Sequence, residues 1–199
     1  FQYSMKISLV YWVAGLSSRF GERIKQLIKV GPNGETLIEC SLNQALPAGF
    51  GKIILVVGAK TKDTFKELLG ESYKGIPIYY ALQEYDKSKR DKPWGTTDAM
   101  CSALPYLNGP CVACNGDDLY GASSFKIAVE HLRKEKTNCA IGYKLFNVLP
   151  DKDTVNRGIF EEKNNKITAM REIFNISKEN FKEKGCSENT LVSMNLFGF

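Results

Sequence analysis

From residue 6 to residue 132 the chain alternates short apolar runs with segments whose apolar residues recur at helical spacing. That alternation narrows the possible folds more than any other feature. Four runs read as strands: 6–14 (KISLVYWVA), 52–58 (KIILVVG), 76–82 (IPIYYAL) and 110–115. Between and after them lie helical faces. Ile38, Leu42 and Ala45 form the first, and Phe65, Leu68 and Leu69 the second. Met100, Ala103, Leu104 and Leu107 form the third, and Phe125, Ala128, Val129 and Leu132 the fourth. Strand and helix in turn predict an α/β fold with a mostly parallel sheet and helices on both faces.

From about residue 138 the pattern changes. Residues 138–146, 157–162, 166–173 and 190–199 read as strands, with Asn164-Asn165 as a turn and a loop-rich stretch at 174–189. The expected sheet is therefore mixed, with a β-rich C-terminal part. At 199 residues the chain has room for one α/β domain with a core of its own. We expect a single domain over 5–199, divided into a core at about 5–137 and a second part at about 138–199. Residues 1–4 read as a tag remnant. The chain stops inside the apolar run Leu196-Phe197-Gly198-Phe199, which reads as the edge of a fragment.

Apolar residues make up 43% and charged residues 25%, the balance of an ordinary globular domain rather than a disordered or fibrous chain. The net charge is +5, but Lys and Arg are interspersed with Asp and Glu. That distribution favours small anionic ligands over nucleic acid. The run Ile7–Ala14 is too short to span a bilayer, so no membrane partner is expected. The six cysteines have irregular spacing, and Cys111 and Cys114 form a lone CxxC within an apolar stretch. They read as reduced packing residues of a cytoplasmic protein. With His131 as its one histidine, the chain cannot build a histidine triad or a three-histidine metal site.

In an open α/β sheet ligands bind beyond the carboxyl ends of the strands. Three such ends are unusual here. The first is Ala14-Gly15-Leu16-Ser17-Ser18-Arg19-Phe20-Gly21, followed by Lys25: a tight loop whose N–H groups and two cations suit a triphosphate. It matches neither GxxxxGK[ST] nor GxGxxG. The second is Pro93-Trp94-Gly95-Thr96-Thr97-Asp98, where Gly95 allows close approach and Thr97 can cap the next helix. The third is Asn115-Gly116-Asp117-Asp118, whose adjacent acids can hold a hard cation. Each alone is also readable as a turn or a cap.

Together and in this order, the three resemble the nucleotidyltransferase (nucleoside-diphosphate-sugar pyrophosphorylase) family, with its glycosyltransferase-A-like, Rossmann-like core. The stretches Lys25-Gln26-Leu27, Gly31-Pro32-Asn33-Gly34-Glu35-Thr36 and Val192–Phe199 are most similar to an uncharacterised bacterial-type branch. The resemblance implies transfer of a nucleotide from an NTP to a sugar-1-phosphate, giving an NDP-sugar and pyrophosphate. It implies Ala14, Gly15, Ser17 and Ser18 around the phosphates, with Arg19 on the leaving pyrophosphate and Lys25 at the phosphorus under attack. Gln83, Gly95 and Thr96 would line the base, and Gly158, Glu172 and Asn195 the sugar. Mg²⁺ would sit on Asp117, helped by Asp118, with a further ligand beyond residue 199. Asp98 departs from the family's usual histidine and puts a negative charge near the base. Two other readings stay open on sequence alone: a glycosyltransferase of related fold, and a non-catalytic nucleotide-binding subunit. Base, sugar and oligomeric state are not legible.

Overall fold

The computed structural model describes residues 6–15, 24–86, 88–90 and 93–199. They divide into two units, one of residues up to Cys139 together with Phe197–Phe199, the other of Ala140–Leu196.

In the first unit the apolar runs are strands and the periodic segments are helices. The elements are β1 (Ser8–Trp12), α1 (Leu37–Ala45), β2 (Lys52–Val57), α2 (Lys62–Leu69), β3 (Ser72–Tyr73), β4 (Ile76–Leu82), α3 (Thr96–Ala103), β5 (Cys111–Asn115) and α4 (Ala122–Lys134). Their sheet order is β3-β4-β2-β1-β5, and β4, β2, β1 and β5 run parallel. β3 pairs antiparallel with β4 through the two-residue turn Lys74-Gly75, where both residues have positive φ. Residues Phe197 and Gly198, the end of β9 (Leu191–Gly198), pair antiparallel with β5. The sheet is thus mixed.

Both faces of the sheet are covered. Val10, Ile54, Val56, Ala81 and Ala113 pack on one face against Ala99 and Ala103 of α3. The neighbouring Tyr11 must point the other way, and there its hydroxyl meets Ser41 Oγ of α1 at 2.9 Å. α1 starts at a reciprocal cap: the Glu39 N–H bonds the Thr36 side chain while the Glu39 carboxylate accepts from the Thr36 N–H.

Two expected helix faces are shorter than the periodicity suggests. α3 ends at Ala103, and Leu104–Tyr106 form a 3-10 turn, leaving Leu104 57% exposed. Pro105 has no N–H for the helical ladder, which accounts for the break. Leu68 on α2 is 40% exposed, while Phe65 and Leu69 carry the burial. The Cys111/Cys114 pair is packing, as expected. Burial pushes the Cys111 thiol up to about 11 and the Cys114 thiol well above its ordinary value.

The second unit holds most of β6 (Cys139–Lys144), then β7 (Val155–Lys163), β8 (Lys166–Ile176) and β9 up to Leu196. β7 and β8 form a hairpin whose turn, Asn164-Asn165, has both residues in the left-handed region, as the Asn pair predicts. Leu145, Leu149, Ile159, Ile173, Ile176, Phe181 and Val192 form its core. β8 runs to Ile176, past the expected residue 173. Among the described residues no helix is long and apolar enough to cross a membrane.

Candidate active site

Because β4, β2, β1 and β5 are parallel, their carboxyl ends share one edge of the sheet. Ala14 and Gly15 follow β1, Gln83 follows β4, and Asn115–Asp118 closes β5. Ser17, Ser18 and Arg19, expected at the phosphates, lie outside the described residues. Among the described residues nothing crowds Gly15: an added Cβ would meet no atom of them within 4 Å.

The acidic end of β5 is held by packing. Gly116 donates its N–H to the Trp12 carbonyl at 3.1 Å. A Cβ on Gly116 would lie 2.2 Å from Val13 Cγ1, and Val13 is fully buried and stiff at χ1. Only glycine fits there, one residue before Asp117. Gly116→Ala is expected to cost ~1–3 kcal/mol of stability by overpacking, measurable as a lower urea midpoint at unchanged slope. The loop is braced further on. The Asn115 N–H donates to the Tyr120 hydroxyl at 3.0 Å, and the Gly121 N–H donates to Gln44 Oε1 of α1 at 2.9 Å. Tyr120 stands edge-on to Phe125 of α4, with ring centroids 5.8 Å apart.

Two charges meet at this end. Lys25, in the 3-10 turn Lys25–Leu27, donates from Nζ to Asp117 Oδ2 at 3.0 Å. Each side chain is 34% exposed, so the pair is reachable by a ligand yet partly desolvated. Asp118 Oδ2 accepts from Asn115 Nδ2 at 3.0 Å. Among the described residues no three His, Cys, Asp or Glu side chains form a metal cluster. Two adjacent carboxylates fit Mg²⁺ in its common form, in which one or two protein oxygens are joined by phosphate oxygens and water.

A second cluster forms beside β4. Gln83 is 6% exposed, and its Nε2 donates to Asp98 Oδ2 at 2.6 Å and to the Gly95 carbonyl at 3.4 Å. Gly95 has φ +111° and ψ −162°, a conformation open essentially to glycine alone. α3 begins at the next residue, Thr96. Thr97 is not the expected cap: it lies inside the helix, whose first turn has no side-chain cap. Trp94, 70% exposed, carries the Arg90 guanidinium 3.6 Å from its ring centroid.

The three residues expected at a sugar lie on strands of the second unit. Gly158 and Glu172 are directly paired across β7 and β8. Asn195 lies on β9, exposed, with φ +60° in mid-strand, and its N–H donates to Ser193 Oγ at 3.1 Å. A left-handed residue inside a strand is strained, and such strain gathers at functional positions. Sequence reasoning missed Tyr120 and Gln44 as braces. Their partners are contacts across elements, for which one sequence carries no signal.

Comparison with known proteins bears on the fold and the family of the chain. The sequence model described as nucleotidyl transferase matches residues 20–192. No curated protein sequence matches the chain. A solved UDP-glucose pyrophosphorylase complexed with UDP-glucose superposes with a TM-score of 0.66 at 17% identity, covering 98% of this chain and 76% of that one. A Bacillus anthracis protein assigned as glucose-1-phosphate thymidylyltransferase gives 0.70 at 13% identity, covering 98% and 71%. The inositol-1-phosphate CTP transferase of T. maritima gives 0.65 at 15%, covering 98% and 70%. At such identities these three likenesses speak to fold.

Proposed function

We propose a reaction from one premise: the chain belongs to the nucleotidyl transferase family, whose sequence model spans residues 20–192. The acceptor is a sugar-1-phosphate or a similar phosphate monoester. The products are an NDP-sugar and pyrophosphate. Names of two similar structures carry a 1-phosphate acceptor, and the third names a UDP-sugar. The observation that carries the proposal is the Lys25–Asp117 pair at the carboxyl edge of the parallel strands, at 3.0 Å.

The chemistry needs no general base. A phosphate monoester oxygen is already anionic at neutral pH. It forms the new bond to the α-phosphorus, the bond from that phosphorus to the β-phosphate oxygen breaks, and pyrophosphate leaves with the electron pair. What the protein supplies is alignment and positive charge. The scarcity of histidine therefore costs the mechanism nothing.

The roles are those that the resemblance to the family implies. Ala14, Gly15, Ser17 and Ser18 bind the phosphates, and Arg19 neutralises the leaving pyrophosphate. Lys25 faces the charge that builds at the α-phosphorus. Lys25 and Asp117 neutralise one another at 3.0 Å until better partners arrive. A triphosphate is the stronger partner for Lys25, and a divalent cation for Asp117. Asp117 and Asp118 would hold Mg²⁺, which would supply the remaining positive charge against the phosphates. Gln83, Gly95 and Thr96 hold the base, and Gly158, Glu172 and Asn195 the sugar. The six free thiols suit a reducing compartment such as the cytoplasm.

The test is pyrophosphate release with Mg²⁺ from UTP, dTTP, CTP, GTP and ATP against a set of sugar-1-phosphates. A signal concentrated in one nucleotide–acceptor pair is the expected result. Nucleotide binding by thermal shift without turnover on any acceptor would overturn catalysis and favour a binding subunit.

A further inference from the structure

We propose that the turn at residues 58–61, at the carboxyl end of β2, positions the start of the phosphate-binding loop for the nucleotide. The inference rests on the functional reading above, in which Ala14 and Gly15 bind the phosphates. It goes beyond that reading in giving a role to two residues outside the loop. Gly58 and Thr61 are positioning residues in this scheme, since they act through Ala14 and touch no substrate.

β1 and β2 run side by side, and the last rung between them is the Val13 N–H to the Val56 carbonyl at 2.9 Å. Beyond that rung, no backbone hydrogen bond among the described residues holds Ala14. What meets Ala14 there is Gly58. A Cβ on Gly58 would lie 3.3 Å from the Ala14 carbonyl oxygen and 4.0 Å from the Ala14 Cα. The φ of Gly58 lies outside the left-handed region, so space rather than backbone conformation asks for glycine. The crowding atom belongs to the backbone and cannot turn aside as a side chain can. To admit a methyl group, either Gly58 or Ala14 must shift by a few tenths of an ångström.

Gly58 is the fixed member of the pair. Its N–H donates to Thr61 Oγ1 at 3.2 Å, and its carbonyl accepts from the Thr61 hydroxyl at 3.2 Å. The same carbonyl accepts from the N–H groups of Thr61 and Lys62, each at 3.0 Å. Thr61 is 2% exposed, so water competes little for these bonds. Thr61 is also the N-cap residue of α2, where a threonine hydroxyl ordinarily accepts from the first turn of its own helix. Here it makes no such bond and turns back to Gly58. The preceding carbonyl, that of Val57, accepts the Gln83 N–H at 2.9 Å and ties the same strand end to β4. A methyl group at position 58 would therefore displace Ala14, and Gly15 with it, rather than Gly58.

The experiment compares the wild type with Gly58→Ala, Thr61→Val and Thr61→Ser. Titration calorimetry with Mg²⁺ gives dissociation constants for UTP, dTTP, CTP, GTP and ATP, and pyrophosphate release gives KM for nucleotide and acceptor. Gly58→Ala should weaken the best-bound nucleotide about 3- to 10-fold, the scale on which a shift of a few tenths of an ångström spoils a positioned contact. Thr61→Val keeps the shape, removes the hydroxyl that fastens Gly58, and should weaken binding to a similar degree. Thr61→Ser keeps that hydroxyl, so binding should stay within about twofold of wild type, as should the KM for the acceptor in all three variants. The melting temperature of Gly58→Ala should hold within about 3 °C, because alanine narrows the freedom of the unfolded chain and so offsets local strain. A merely structural turn would lower the melting temperature and raise both KM values together, which would overturn the assignment. Nucleotide binding unchanged in both Gly58→Ala and Thr61→Val would also overturn it, while leaving nucleotide transfer intact. Should Gly58→Ala fail to fold, the contrast between Thr61→Val and Thr61→Ser decides alone. No binding of any nucleotide by the wild type would overturn the functional reading, and this inference with it.

Discussion

Asp117→Ala is expected to reduce pyrophosphate release by roughly 10³-fold, the scale on which a positioned charge and its metal act on a phosphoryl transition state. The fold should tolerate the change. Asp117 is 34% exposed, and its ion pair to Lys25 is of the partly solvated kind that contributes less than about 1 kcal/mol. Loss of turnover with little change in melting temperature would thus separate chemistry from folding. Added Mg²⁺ should restore little of the rate, because the lost group is the ligand itself. Turnover within about threefold of wild type would remove Asp117 from the mechanism.

Lys25→Ala is expected to lose ~10²–10³ in kcat, with a smaller change in the KM for the nucleotide, because charge at the reacting phosphorus grows in the transition state. Arginine should rescue only in part, since its planar fork is not a compact ammonium. The two groups meet at 3.0 Å and serve one reaction, so their effects should not add. The double variant Lys25→Ala/Asp117→Ala should be about as slow as Asp117→Ala alone. Steady-state kinetics on the four proteins decides this. Unchanged kcat in Lys25→Ala would sink its assigned role.

Much of the architecture is legible in the chain. The continuous apolar run at 52–58 becomes β2 because a strand covered on both faces has no polar side to show, whereas β4, from the run 76–82, leaves Pro77 and Tyr79 exposed. Pro105 is visible too, yet periodicity alone carries Leu104 into the helix, because spacing takes no account of a missing donor. At the site, the types and positions of Lys25, Asp117 and Gln83 can be proposed from sequence. That Lys25 touches Asp117 cannot, since 92 residues separate them. Asp98 stands out in the sequence only as a departure from a familiar pattern. Its bond to Gln83, 15 positions away, shows only in the fold. Gly116 gives no sign of its role, because the requirement comes from the methyl group of Val13.

The pairing of Phe197 and Gly198 with β5 has a consequence for how the chain emerges during synthesis. Phe199 exchanges both backbone hydrogen bonds with Cys111 at 2.9 Å, so one rim of the first unit is closed by residues made long after its other strands. Until they appear, β5 offers an open row of backbone donors and acceptors, with the buried side chains Val112, Ala113 and Cys114 beside it. The second unit, Ala140–Leu196, is translated in that interval. At ~5–20 residues per second the gap lasts seconds, long compared with the folding of a small domain. The nascent chain must therefore carry a sticky, half-finished sheet on the ribosome, and the strand that ends at Asn115, just before the Gly116-Asp117-Asp118 turn, is the one left waiting.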